Sequence, residues 1–112
     1  MATFYRIIKS ERATLWDFQS AQERGQLFRR PLDPETLRIS FGISVYDTFE
    51  AALANARLRP HLGTHIVPIE VVEDGLIQAE QTTRKQHHHT LFGAAVDLMR
   101  AAGPPLPVEE YT

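Results

Sequence analysis

The sequence predicts an α+β fold, a small and mostly antiparallel sheet with three or four helices. Three observations predict it. Short alternating or β-branched runs occur at Thr3–Ile8, Ile43–Tyr46 and Thr64–Val72. Helical apolar stripes with start and stop signals occur at Thr48–Leu58 and Leu91–Ala102. Strands and helices do not alternate with the regular spacing of a doubly wound parallel sheet.

In Thr3–Ile8 the side chains of Phe4, Arg6 and Ile8 share one face, and Tyr5 and Ile7 share the other. Ala13–Arg24 carries Leu15, Phe18 and Gln22 at helical spacing and is expected as a short helix, closed by Gly25. Gln26–Asp33 is expected as a loop. Asp33-Pro34-Glu35 starts a short helix, with Asp as N-cap and Pro in the first turn, before Gly42 interrupts. Ile43–Tyr46 is a strand. Asp47 is expected to cap the helix that follows, with Glu50 reaching back, and Phe49, Ala52, Leu53 and Ala56 form its apolar face until Pro60.

Thr64–Val72 is the strongest strand, and Pro68 within it marks an edge or a bulge. Glu73-Asp74-Gly75 is a turn signal, so Leu76–Glu80 is expected to return as the second arm of a hairpin. Thr82–His88 reads as a polar loop. Leu91–Ala102 then reads as the last helix, with Thr90 as N-cap and Gly103-Pro104-Pro105 as its stop. Residues 1–103 are expected as a single domain and 104–112 as a Pro-rich acidic tail, extended or partly disordered.

Composition narrows the function. The chain has 112 residues, 43% of them apolar, enough for one core. It has no Cys, which excludes a disulfide framework, thiolate zinc sites and thiol nucleophiles. No apolar run is long enough to span a bilayer, and Met1–Ser10 does not read as a signal peptide. The expected compartment is the cytoplasm, with no membrane partner. The net charge of −2 makes nucleic acid an unlikely partner. Two clusters, Arg24 with Arg29 and Arg30, and Arg57 with Arg59, are either solvated surface or phosphate contacts.

No Gly-rich phosphate loop, Gly-x-Ser-x-Gly elbow or His-Glu-x-x-His helix is present. The most unusual local feature is His87-His88-His89. In extended backbone His87 and His89 would share a face, but no ligand spacing supports a metal site, and no metal is expected. The run reads either as a polar loop before a helix or, through His88 or His89, as a hydrogen-bond donor to a phosphate or ribose. Arg6 is a charge on a mostly apolar strand. It snorkels to the rim, pairs with a structural carboxylate or clamps an anionic ligand. Ser44, inside Gly42-Ile43-Ser44-Val45-Tyr46, needs a partner across the sheet or in a site. Tyr46, Trp16 and Phe41 read first as core. Glu70 and Glu80 are lone carboxylates on the expected hairpin.

The order of Phe4-Tyr5-Arg6, then Gly42-Ile43-Ser44-Val45-Tyr46-Asp47, then the Ala-rich helix Phe49–Arg57, resembles the ADP-ribosyltransferase-like fold over about half the chain. The resemblance implies a domain that binds NAD or a related nucleotide, with a toxin-type transferase activity. Carried over, Arg6 would hold the dinucleotide, and Ser44 and Tyr46 would line the nicotinamide side. The third element has no matching motif, and Glu70, Glu80 and His88 with His89 all stay open. The implied catalytic set is Arg6, Ser44 and His88, and the implied cofactor-binding set Tyr5, Tyr46 and His89. The blocks Gly-Ile-Ser-Val-Tyr and His-Thr-Leu-Phe-Gly are also similar to those of small bacterial proteins, which implies no activity. The alternative is a non-catalytic module that binds a nucleotide or a partner protein. Its contact surface would be the sheet edge at Thr64–Val72, where a homodimer could form, or the aromatic segment Trp16–Phe28.

Overall fold

A computed structural model describes residues 1–26 and 28–111. Leu27, in the segment expected as a loop, and Thr112, at the end of the tail, lie outside the described residues. The sheet has six strands: β1 (Ala2–Ile8), β2 (Ile43–Tyr46), β3 (His65–Val71), β4 (Gln78–Glu80), β5 (His88–Phe92) and β6 (Leu106–Pro107). Their spatial order is β4-β5-β2-β1-β3-β6, and every neighbouring pair is antiparallel. The three α-helices are α1 (Pro34–Ile39), α2 (Phe49–Leu58) and α3 (Ala95–Arg100). The fold is α+β with an antiparallel sheet.

Strand alternation divides the interior in two. Phe4 and Ile8 of β1 join Ile43, Val45, Val67, Ile69 and Leu91 on one face, covered by Phe18 and by Ala95 and Leu98 of α3. Ile7 and Ile66 face the other way and pack against Ala52 and Ala56 of α2, with Tyr5, Tyr46 and Phe49 around them. Small residues on α2 let the helix lie close to the sheet.

Four expectations are corrected. First, Ala13–Arg24 is not one helix. It forms a 3-10 helix at Leu15–Phe18 and a separate turn from Ala21. Two capping boxes lie too close together to allow more. The Asp17 carboxylate accepts from the Thr14 amide at 2.8 Å, and six residues on the Glu23 carboxylate accepts from the Ser20 amide at 2.9 Å. Phe18 is buried, while Leu15 and Trp16 are exposed.

Second, α2 is capped by Thr48, whose hydroxyl accepts from the Ala51 amide at 3.1 Å. Asp47 turns to His87 instead, Nδ1 to Oδ1 2.7 Å.

Third, Leu76–Glu80 does not return beside β3. The turn forms, with Asp74 at φ 59° and the Gly75 amide donating to Val72. But the inner edge of β3 is already paired with β1 over seven residues, Ala2↔Val71 to Ile8↔His65. The chain buries Ile77 in the first core and adds β4 to β5 at the far end of the sheet. Nor is β3 an edge. β6 pairs with His65 and Ile66, and the Gly103 amide donates to the Pro68 carbonyl on the side away from β1. A residue's N and O point the same way in a strand, so the donor that Pro68 lacks is missing on that outer side.

Fourth, His88–Phe92 is a strand, and the last helix starts only at Ala95. Leu91, Ala95 and Leu98 do fit a helical stripe, but Leu91 reaches the core from β5, paired with Ile43 and Ala79. Thr90, expected as an N-cap, is buried in β5 and bonds the Thr82 hydroxyl at 2.6 Å.

Residues beyond α3 extend the structure. Val108 and Tyr111 pack on the α2 side, with the Tyr111 ring 4.9 Å from Phe49 and the Arg57 guanidinium donating to the Tyr111 carbonyl. No helix among the described residues is long and apolar enough to cross a membrane.

The corner into β3 depends on Gly63, at φ 155°. A Cβ there would lie 2.0 Å from the Ile8 carbonyl oxygen. Gly63→Ala is expected to cost about 2 kcal/mol or more and to lower the thermal midpoint by roughly 8 °C. A thermal melt checks it, and an unchanged midpoint contradicts this close approach.

Candidate functional site

The site begins with a ladder that stops early. β1 runs the full length of β3, but its pairing with β2 is limited to Tyr5↔Tyr46. Past that pair the two strands part, and a cavity of about 350 Å³ opens between them. Its walls come from both faces of the sheet: Trp16, Asp17 and Arg24 on one, Asn55, Arg59 and Leu62 on the other, with Thr83, Lys85, Gln86 and His88 at the β5 side.

Arg6 spans the gap. Its Nη1 donates to the Ser44 carbonyl at 2.8 Å and its Nε to the Asp17 carbonyl at 3.2 Å. The expected carboxylate partner is absent, because the Asp17 carboxylate is turned to the Thr14 amide and hydroxyl. Burial pulls the Arg6 pKa down to about 10 and nearby Arg24 adds to that; Asp17 and Tyr46 act in the opposite direction. The group stays charged at neutral pH. A partly buried cation hydrogen-bonded to carbonyl dipoles keeps its charge, and the nearby Asp17 carboxylate offsets only part of its attraction for an anion.

Arg6 and Ser44 come together, though not as expected. Their side chains leave the sheet on opposite faces: Arg6 with Phe4 and Ile8, Ser44 with Tyr46. Both still line the cavity, because it passes between the strands. Arg6 holds the main chain of Ser44 and not its hydroxyl, which is exposed and has no hydrogen bond among the described residues.

Tyr46 and His88 meet edge to face on the cavity wall, ring centres 5.7 Å apart. Burial lowers the His88 pKa, with Lys85 and His89 adding to the shift, so the ring is neutral at pH 7. Its Nδ1 lies 3.2 Å from the Thr83 hydroxyl. Burial raises the Tyr46 pKa against the opposing effects of Arg59 and Arg6.

The other two implied cofactor residues are placed elsewhere. Tyr5 is half-buried in the second core, 5.9 Å edge to face with Phe49. His89 packs 5.2 Å from the Phe4 ring on the first face, and its Nδ1 is buried without a partner. Strand alternation sends His89 to the face opposite His88, where it packs on Phe4 and does not line the cavity. His87 leaves the strand at φ 69° and pairs with Asp47. Among the described residues no group of three His, Asp or Glu could hold a metal ion. The two candidate carboxylates are also elsewhere. Glu70 accepts from the Thr3 hydroxyl at 2.9 Å, and Glu80 pairs with Arg38 at 2.7 Å.

The cavity's cations were only partly visible in the sequence. Arg24 and Arg59, one from each basic cluster, line it, and Lys9 and Lys85 join them from segments that gave no signal. Lys9 is fixed by the His61 carbonyl at 2.5 Å. Arg24 is fixed by the Trp16 carbonyl at 2.8 Å, with its guanidinium 3.6 Å over the Trp16 ring. Trp16, read first as core, is 48% exposed and lines the cavity. On a chain of net charge −2, five Arg and Lys side chains face one engaged carboxylate.

Compared with known proteins, the chain matches no protein family, no curated protein and no solved structure.

The His88 shift carries a sign. A folded-state pKa below the ordinary value means that the unfolded chain binds more protons, so this contribution to stability is lost as pH falls through about 6.5. In an NMR titration the His88 ring is expected to have a midpoint below 6.5. A midpoint above that contradicts its placement in the cavity wall.

Proposed function

We propose that this domain binds a phosphate-bearing nucleotide, the class to which NAD belongs, in the cavity between β1 and β2. The observation that carries this reading is Arg6: a desolvated guanidinium with no hydrogen bond to a carboxylate among the described residues, repelled by Arg24 and attracted by the Asp17 carboxylate nearby. That arrangement is costly to the fold, and a bound anion relieves it. The surroundings suit the rest of a nucleotide. Trp16 and Tyr46 offer ring faces or edges, and Asn55, Ser44 and Thr83 offer hydrogen bonds for ribose or base. The volume lies at the low end of ligand cavities, roughly 300–1,000 Å³. It suits a mononucleotide-sized group, with the remainder of a dinucleotide projecting past Lys85 and Arg59.

Isothermal titration of the full chain with ADP-ribose and with NAD tests this. Binding is expected, and Arg6→Ala is expected to weaken it about 10- to 100-fold. Arg6 also ties β1 to β2, so circular dichroism must show the variant folded, and Arg59→Ala provides a surface variant with the same expected direction. Absence of heat for both ligands at millimolar concentration rejects the reading.

A second reading is transfer of ADP-ribose, favoured by neutral His88 standing against Tyr46 on the cavity wall. In that reaction the bond from ribose C1′ to nicotinamide breaks and its electron pair leaves with nicotinamide. The acceptor nucleophile bonds to C1′ and gives up its proton, which neutral His88 can accept. Nicotinamide release from NAD is then expected, slowed at least about 10-fold by His88→Ala. Release no faster than in buffer leaves a binding domain without this chemistry.

A further inference from the structure

The charge balance of the cavity specifies the ligand more narrowly than a nucleotide, an inference that rests on the nucleotide reading above. Arg6, Lys9, Arg24, Arg59 and Lys85 stand against the carboxylate of Asp17, leaving four net positive charges around one cavity. Three of these cations are held in place by main-chain carbonyls: Arg6 by Ser44 and Asp17, Lys9 by His61, and Arg24 by Trp16. A carbonyl dipole orients a cation without cancelling its charge. The side chains of the other two, Arg59 just past α2 and Lys85 in the segment before β5, make no hydrogen bond or ion pair among the described residues. Their long side chains are free to close on a ligand from two separate segments.

The dinucleotide NAD matches this balance poorly. Each phosphorus of its pyrophosphate is substituted on two oxygens and carries a single negative charge, and its nicotinamide ring is a cation. A terminal phosphate, substituted on one oxygen only, carries about −1.5 to −2 at pH 7 and three acceptor oxygens. We infer that the cavity selects a nucleotide bearing such a terminal phosphate, the group shared by a nucleoside diphosphate and a 2′-phosphorylated dinucleotide. Arg59 and Lys85 are the groups that read it. Arg6, Lys9 and Arg24 supply the field common to all phosphate ligands.

Two matched pairs test this on the full chain by isothermal titration at constant ionic strength: ADP against ADP-ribose, and NADP against NAD. Within each pair only the first ligand carries a terminal phosphate. That ligand is expected to bind at least about 10-fold tighter in one or both pairs. Preference in the first pair places the terminal phosphate at the end of the pyrophosphate, and preference in the second places it on the ribose. Equal affinities in both pairs overturn the inference while leaving nucleotide binding intact. No binding of any of the four removes the nucleotide reading itself. In the Arg59→Gln, Lys85→Gln double variant, with folding checked by circular dichroism, the preference is expected to fall below about 3-fold. A 10-fold preference that survives in that variant overturns the role given to these two cations.

Discussion

One side chain replaces a stretch of sheet. Beyond Tyr5↔Tyr46 no backbone pairing joins β1 to β2, although these are the two central strands. The guanidinium of Arg6 spans the gap between them, donating to the Ser44 carbonyl on β2 and to the Asp17 carbonyl on the 3-10 helix that covers the first core. Two halves of the sheet, β4-β5-β2 and β1-β3-β6, are thus joined at one end by a ladder pair and at the other by a cation. A backbone N–H in that position would close the sheet and leave no room. A long, planar donor satisfies the exposed carbonyl and keeps the strands apart. Arg6 therefore bridges the two strands where their ladder has ended and the cavity opens.

Much of the fold was legible because it is governed by local rules. β1, β2 and β3 follow their alternation, and α2 follows its apolar face and its stop at Pro60. The errors arose where local signals were correct but the partner was not local. The Glu73-Asp74-Gly75 turn exists, yet β4 pairs with β5 because β1 already occupies β3. The stripe Leu91, Ala95, Leu98 is buried on one face, yet it is shared between a strand and a helix that reach the same core. Periodicity identifies which residues face inward, and only topology decides which element delivers them.

The site was legible to a similar extent. Arg6 was conspicuous because a charge on an apolar strand demands an explanation, and Ser44, Tyr46 and His88 do line the same cavity. Tyr5 and His89 were grouped with them by sequence adjacency, and alternation sends each to a different face from its neighbour. Lys9, Arg24, Arg59 and Lys85 could not be assembled from the sequence, since they come from four different segments. Nothing short of the sheet order places those segments around one opening.

Two arginines show how the same residue type is put to different uses within one fold. Arg38 on α1 is held by Glu35 at 2.5 Å and Glu80 at 2.7 Å, and these carboxylates raise its pKa. Its charge is cancelled, and its role is to tie α1 to the edge strand β4. Arg6 has only carbonyl partners and a lowered pKa. Its charge is oriented but not cancelled. Paired ions at an exposed surface contribute modestly to stability and little to recognition. A cation without a carboxylate hydrogen bond in a partly enclosed opening instead costs the fold stability. Five of the chain's twelve Arg and Lys side chains line this opening against the carboxylate of Asp17, whereas Arg38 is neutralised by two carboxylates at the sheet edge, so an acidic chain still carries a locally positive opening.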